Sequence, residues 1–203
     1  TVRRFTEDVP TIAFDSNLPV GEAFVGSNNF QSIPLIVDYL TRTGEPPCFV
    51  ETAPVNPNAD TRREAYIMAM ERTGHDPMVV RLNGAGWDFE EIGRLGGHAS
   101  LKAGVFKTNT VLCSNDRLAI GLLTSCFEAG QKVGRTTDGA IRIAGQDDHP
   151  FSRYTCPPLT TVAHDYSAWS KAAVDTLFTA IEGEVEPWKS TRMQGKLIMR
   201  DSA

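Results

Sequence analysis

The sequence has no run of 18 consecutive apolar residues, and Arg3 and Arg4 are followed by no apolar stretch, so neither a membrane span nor a secretory leader is expected. The expectation is a cytoplasmic protein. A basic surplus is also missing: 20 Lys and Arg against 25 Asp and Glu leave a net charge of -5, with no surface suited to tracking phosphates. Contact with nucleic acid would have to come from residues outside this segment. No C-x-x-C pair occurs, and Cys48, Cys113, Cys126 and Cys156 are expected to be reduced and buried, Cys113 for instance following Val111 and Leu112. Catalytic signatures are absent too. No nucleophile elbow is present, and Asn83-Gly84-Ala85-Gly86 lacks the third glycine and following acid of a dinucleotide loop. Asp147-Asp148-His149 has no partner at metal-ligand spacing. No catalytic residue, metal or cofactor is therefore expected.

What is present is alternation. Short apolar runs at 11–14, 23–26, 48–51, 78–82, 110–113, 141–144, 160–162 and 196–199 read as strands, most of them buried on both faces. Between them lie segments of helical period. Gln31 to Thr43 puts Ile33, Ile36, Val37 and Leu40 on one stripe, with Pro34 tolerable in the first turn and Gly44 as the stop. Thr61 and Glu64 have capping-box spacing ahead of Ala65, Met68 and Ala69, which predicts a helix over 61–72 with Arg62 in its first turn. Further helices are expected near Asp88, from Asp116, and over 166–182, where Trp169, Ala173, Leu177 and Ile181 share a face. Strand and helix in turn predict a doubly wound α/β fold.

Open sheets of this kind bind ligands beyond the carboxyl ends of their strands. That rule selects Asp15 and Ser16, Ser27 to Asn29, Asn115, and Asp147 to His149. Carboxylates and amides take up vicinal hydroxyls while an aromatic face covers C–H edges, so the set suits a polyhydroxylated ligand. Asn115 and Asp147 have a second reading as loop caps, with Asp116 able to serve as the helix cap in place of Asn115. Arg62 has one as a solvated first-turn residue, although a cation there opposes the helix dipole.

The stretch Val111-Leu112-Cys113-Ser114-Asn115-Asp116-Arg117-Leu118-Ala119-Ile120-Gly121, then Gly130 with Val133-Gly134, then Ile143-Ala144-Gly145-Gln146-Asp147-Asp148, then Pro157-Pro158-Leu159-Thr160-Thr161-Val162, resembles the effector domain of lactose-repressor and galactose-repressor regulators in order and spacing. The resemblance extends from Val9–Asp15 through Asp60–Tyr66 to Met199–Ser202. It implies a periplasmic-binding-protein-like fold that senses a small carbohydrate-like effector and controls DNA binding by a helix-turn-helix head outside this chain. It also implies two lobes, with 1–25 and 164–193 as part of the N-terminal lobe and 26–163 with 194–203 as a nearly complete C-terminal lobe.

By the same resemblance Asp15, Arg62, Asn115 and Asp147 match positions lining the sugar pocket, with Arg62 facing Asp147 across it. Their removal is expected to hurt binding more than folding. Trp87 resembles the aromatic that stacks on the effector, core packing being its other reading. His164 falls at the hinge, where the family often has an amide side chain, and Asn58 and Phe24 are further candidates. A homodimer is implied through Leu122, Leu123 and Phe127 on the helix from Asp116, together with Tyr154, Thr155 and Cys156. A periplasmic sugar-binding protein and a sugar-modifying enzyme share the fold and remain as rivals. The unpaired cysteines and the Pro157–Val162 motif favour the regulator.

Overall fold

A computed structural model describes residues 9–16, 23–136, 139–182 and 190–203. Its strands are β1 (Ile12–Phe14), β2 (Ala23–Ser27), β3 (Cys48–Glu51), β4 (Val79–Arg81), β5 (Thr110–Cys113), β6 (Arg142–Ala144), β7 (Thr161–Ala163), β8 (Thr191–Met193) and β9 (Lys196–Ile198). Its helices are α1 (Asn29–Thr43), α2 (Pro57–Arg72), α3 (Phe89–Ala103), α4 (Asp116–Glu128) and α5 (Tyr166–Ile181). One parallel sheet runs β1-β2-β8 and a second runs β4-β3-β5-β6. The antiparallel pair β7-β9 continues the second sheet through a parallel bridge between Ala144 and Thr160. The fold is α/β, as expected.

The central strands bury both faces because their alternate residues meet different helix layers. Phe49, Leu112 and Ala144 join Ile33, Ile36, Leu40, Tyr66 and Met70 under α1 and α2. Their neighbours Val50, Val111, Cys113 and Ile143 join Ile92, Leu118, Leu122 and Cys126 under α3 and α4. Those two helices approach closely at glycines: a Cβ on Gly93 or Gly121 would run into the backbone carbonyl of Leu118 or Glu90.

Several local expectations are corrected. β4 is an edge strand with Val79 exposed, so it is not buried on both faces. α1 begins at Asn29, which moves Pro34 into the second turn, where its missing N–H leaves the Phe30 carbonyl without an i+4 donor. α2 begins at Pro57, capped by Asn56, whose side chain accepts from the Asn58 and Ala59 amides. Thr61 is thus interior, Arg62 lies in the second turn, and Met68 points outward while Tyr66 and Met70 enter the core. β8 had no expectation at all. Leu122 and Leu123 are buried within the chain, so the outer face of α4 offers Phe127 without them, and Cys156, unlike the other three cysteines, is exposed.

The chain passes between the three-stranded unit and the larger sheet at Ser27–Asn29, Ala163–Asp165 and Met193–Lys196. α5 covers the smaller unit through Trp169, which is fully buried with its ring edge-on to Phe14 at 6.5 Å. The rest of the face expected there is half-buried at Ala173 and Leu177 and exposed at Ile181, beside exposed Val174 and Phe178.

Candidate functional site

The carboxyl ends of β1, β3, β5 and β6 converge on a cavity of about 390 Å³, closed on its other sides by the amino end of α2, the loop before α3 and Tyr166 at the start of α5. Three of its acids, Asp15, Asp147 and Asp148 (φ 49°), stand on unusual backbone. Asp15 has φ 61° and Asp147 φ 116°, a region that L-residues enter at a cost of order 1–3 kcal/mol and only when the surroundings hold them. The Asp15 amide donates to Val25 O and the Asp147 amide to Val162 O, both at 2.9 Å, which fixes the two turns to the strands that cross between the units.

Arg62 is the centre of the floor. Its Nε donates to Asn29 Oδ1 at 3.2 Å and its Nη1 to Ser114 O at 2.8 Å, while Nη2 and Nη1 reach Asp147 Oδ1 at 2.5 Å and Oδ2 at 3.2 Å. Burial opposes the guanidinium charge, but Asp147 and then Asp15 more than offset it and hold Arg62 above the usual arginine range. Asn29 Nδ2 donates in turn to Asn58 Oδ1 at 3.2 Å, and Asn58 Nδ2 to Asp15 O at 3.0 Å. One line of hydrogen bonds therefore runs from the turn after β6 to the turn after β1, joining the larger sheet to the smaller.

Asp116 is the second buried anchor. Its carboxylate accepts from Ser152 Oγ at 2.5 Å, Thr161 Oγ1 at 2.6 Å and the His149 amide at 2.8 Å, with no cation in the set. Burial, reinforced by nearby Asp147, pushes its pKa up to about 6 against those donors. Asn115, not Asp116, caps α4, accepting from the Leu118 amide at 2.9 Å, and it also lines the cavity. The aromatic wall holds Trp87, 60% exposed and edge-on to Phe89 at 5.9 Å, so Trp87 is not a core residue. The Arg117 guanidinium sits 5.4 Å from the Phe89 ring centre and is gripped by Glu90 through two bonds of 2.7 and 2.6 Å.

Asp15, Asn58, Arg62, Trp87, Asn115 and Asp147 thus meet at one cavity. His164 and Phe24 do not. His164 is buried behind the floor, where its Nε2 accepts from Gln146 Nε2 at 3.0 Å and its ring lies 4.8 Å from that of Trp169. Burial, then Arg62, pushes its pKa down to about 4, which keeps the imidazole neutral. Phe24 lies inside the smaller sheet, three residues before the end of β2, with the Arg192 guanidinium 5.6 Å from its ring centre. Sequence reasoning passed over Asn56, Phe89 and Tyr166. The Asn56-Pro57 pair was a readable helix start, and Tyr166 follows directly on the crossing at Ala163–Asp165. Among the described residues no group of three His, Cys, Asp or Glu side chains is placed to hold a metal. No helix among them is long and apolar enough to cross a membrane.

Comparison with known proteins finds the periplasmic binding protein-like domain over residues 38–203. The chain is similar to the ribose operon repressor of Escherichia coli K12, 26% identical over 198 residues, which are 96% of this chain and 58% of that protein. The chain therefore spans less than two thirds of this relative. Among solved structures, a dimeric Lac repressor superposes with TM-score 0.82 at 22% identity, covering 95% of this chain and 68% of that one. A LacI family transcriptional regulator from Enterococcus faecium with bound ribose superposes with TM-score 0.79 at 21% identity, covering 95% and 70%.

Proposed function

Because the chain belongs to the periplasmic binding protein-like domain family, as the effector domain of a lactose-repressor/galactose-repressor type regulator, we propose that it senses a small polyhydroxylated effector in the cavity floored by Arg62 and Asp147. The Arg62–Asp147 ion pair facing Trp87 carries this reading. Paired charges present fixed acceptors and a spare donor to vicinal hydroxyls, and an exposed ring at the mouth is free to cover the apolar side of a sugar. Asp15, Asn58 and Asn115 complete the polar set. The ribose in the Enterococcus structure and the name of the Escherichia coli relative support a sugar as the class of effector.

In this reading the chain up to Ser27 with 164–193 and residues 29–163 with 196–203 act as two lobes whose relative orientation the effector sets, the first crossing lying two residues later than the expected boundary at 25/26 because Gly26 and Ser27 pair with β8. The Arg62-Asn29-Asn58-Asp15 line crosses between them, so a ligand touching Asp15 and Asp147 bears on both. The regulator works in the cytoplasm as a homodimer, through the face bearing Phe127, Tyr154, Thr155 and Cys156, and meets operator DNA through a separate head. It binds and does not catalyse. A thermal-shift screen of the chain against sugars and nucleobases tests the reading, since a ligand at 100 times its dissociation constant adds about 2.7 kcal/mol of stability. A shift with a sugar is expected; a shift with nucleobases alone would overturn it.

A further inference from the structure

The cavity is built to refuse negative charge. Anion sites in α/β proteins are made from free cations, free amides at helix starts, or nests of successive backbone N–H groups, and here the arginines, two helix starts and the turn after β6 are already engaged by the chain itself. Arg62 spends four of its five N–H donors on Asn29, Ser114 and the two oxygens of Asp147, leaving one for a ligand. Arg117 is held by Glu90 through both oxygens, and Arg200, beneath the floor, is held by Asp148 at 2.7 Å.

Two helix starts at the cavity are closed in the same way. At α2 the Asn58 and Ala59 amides donate to Asn56 Oδ1 at 3.0 and 3.3 Å, and at α4 the Leu118 amide donates to Asn115. α3 has no side-chain cap at Asp88, but Glu90 and Glu91 in its first turn set negative charge against any anion there. In the turn after β6 the amides of Asp147, Asp148 and His149 donate to Val162 O, Thr161 Oγ1 and Asp116 Oδ2. Against these closed donors stands Asp15, lining the cavity and in no ion pair among the described residues.

We propose that the effector carries no anionic group: it is an unphosphorylated, uncharged sugar or polyol, and phosphate esters and sugar acids are excluded by Asp15 and the internally paired cations. This rests on the reading of the cavity as a sugar site, and deepens it. A phosphate entering here would face an unpaired carboxylate in a partly buried space, where like charges repel far more strongly than in water, and would find Arg62 and Arg117 already paired within the chain.

The test uses matched pairs on the full chain by calorimetry: D-ribose with D-ribose 5-phosphate, D-glucose with D-glucose 6-phosphate and with D-glucuronate, and inosine with inosine monophosphate, beside hypoxanthine as a nucleobase alone. In any pair with a binding member, the neutral compound is expected to bind at least about 100-fold more tightly. Asp15→Asn is expected to narrow that ratio by about tenfold, because it removes the repelling charge and keeps the shape. An ester or acid that binds as well as its parent sugar overturns the proposal and leaves the sugar site standing. Hypoxanthine binding without any sugar overturns the sugar reading, and the inosine pair then decides whether charge is excluded. A ratio unmoved by Asp15→Asn overturns the role given to that carboxylate.

Discussion

Arg62 Nη2 and Nη1 meet the two oxygens of Asp147 at 2.5 and 3.2 Å, bringing the second turn of α2 against the turn after β6. Because Arg62 is buried, the pair serves the fold as well as the ligand. Asp147→Ala leaves a guanidinium unmatched, so stability is expected to fall by about 3 kcal/mol while effector affinity is lost, rather than affinity alone. The double variant Arg62→Met/Asp147→Leu removes both charges and is expected to regain much of the stability with none of the affinity. Melting curves beside calorimetric titrations separate these outcomes; a double variant no more stable than Asp147→Ala contradicts them.

Trp87 has the opposite profile. It is largely exposed and touches Phe89 edge-on. Trp87→Ala should change stability by less than about 0.5 kcal/mol, in the usual range for surface positions. Loss of ring stacking should cost the effector about 1–2 kcal/mol of binding free energy. A folded variant with unchanged affinity would remove Trp87 from the site.

Asp116 and His164 give stability opposite pH dependences in one window. Asp116 is raised from 3.8 to about 6, so its contribution is full below pH 3.8 and is lost as pH rises through about 6. His164 is lowered from 6.5 to about 4, so its contribution is full above pH 6.5 and is lost as pH falls through about 4. Each is worth on the order of 3 kcal/mol across the window, and in the parent they offset. Asp116→Asn should therefore melt at progressively lower temperature than the parent on going from pH 6.5 to pH 4, and His164→Gln at progressively higher. Melting temperatures that run parallel to the parent's across this range contradict the assignment.

Phe127 is 83% exposed and Tyr154 75% exposed, one on the outer side of α4 and the other in the turn before Cys156. Solvated rings of this size on a proposed dimer face predict that Phe127→Glu/Tyr154→Glu shifts the chain to monomer without lowering its melting temperature by more than about 2 °C. Sedimentation velocity reads the first and a thermal melt the second. A parent chain that is monomeric at 100-fold higher concentration than the titrations need would contradict the proposed face.

The fold and much of the candidate site could be read in the sequence wherever a short apolar run ends in a polar residue: Asp15 after Ile12–Phe14, Asn115 after Thr110–Cys113, Asp147 after Arg142–Ala144. β8 was invisible because Thr191, Arg192 and Met193 have no apolar pattern, and only pairing with β2 makes them a strand. The start of α2 was misplaced because Thr61 and Glu64 imitate a capping box, while the working signal, Asn56 followed by Pro57, lies one turn earlier. Leu122 and Leu123 looked surplus to one stripe, but α4 is covered by both the sheet and α3, which widens the face it buries. His164 was placed at the ligand because the hinge is near it, yet it turns toward Gln146 and Trp169.

The central claim is that a sugar-like effector occupies the cavity between Arg62–Asp147 and Trp87. Calorimetric titration of the parent chain, Trp87→Ala and Asp147→Asn with the sugar giving the largest thermal shift tests it most directly. The account predicts saturable one-site binding to the parent, affinity about tenfold weaker in Trp87→Ala, and no measurable binding in Asp147→Asn at a temperature where that variant is folded. Equal affinity for all three chains would contradict it.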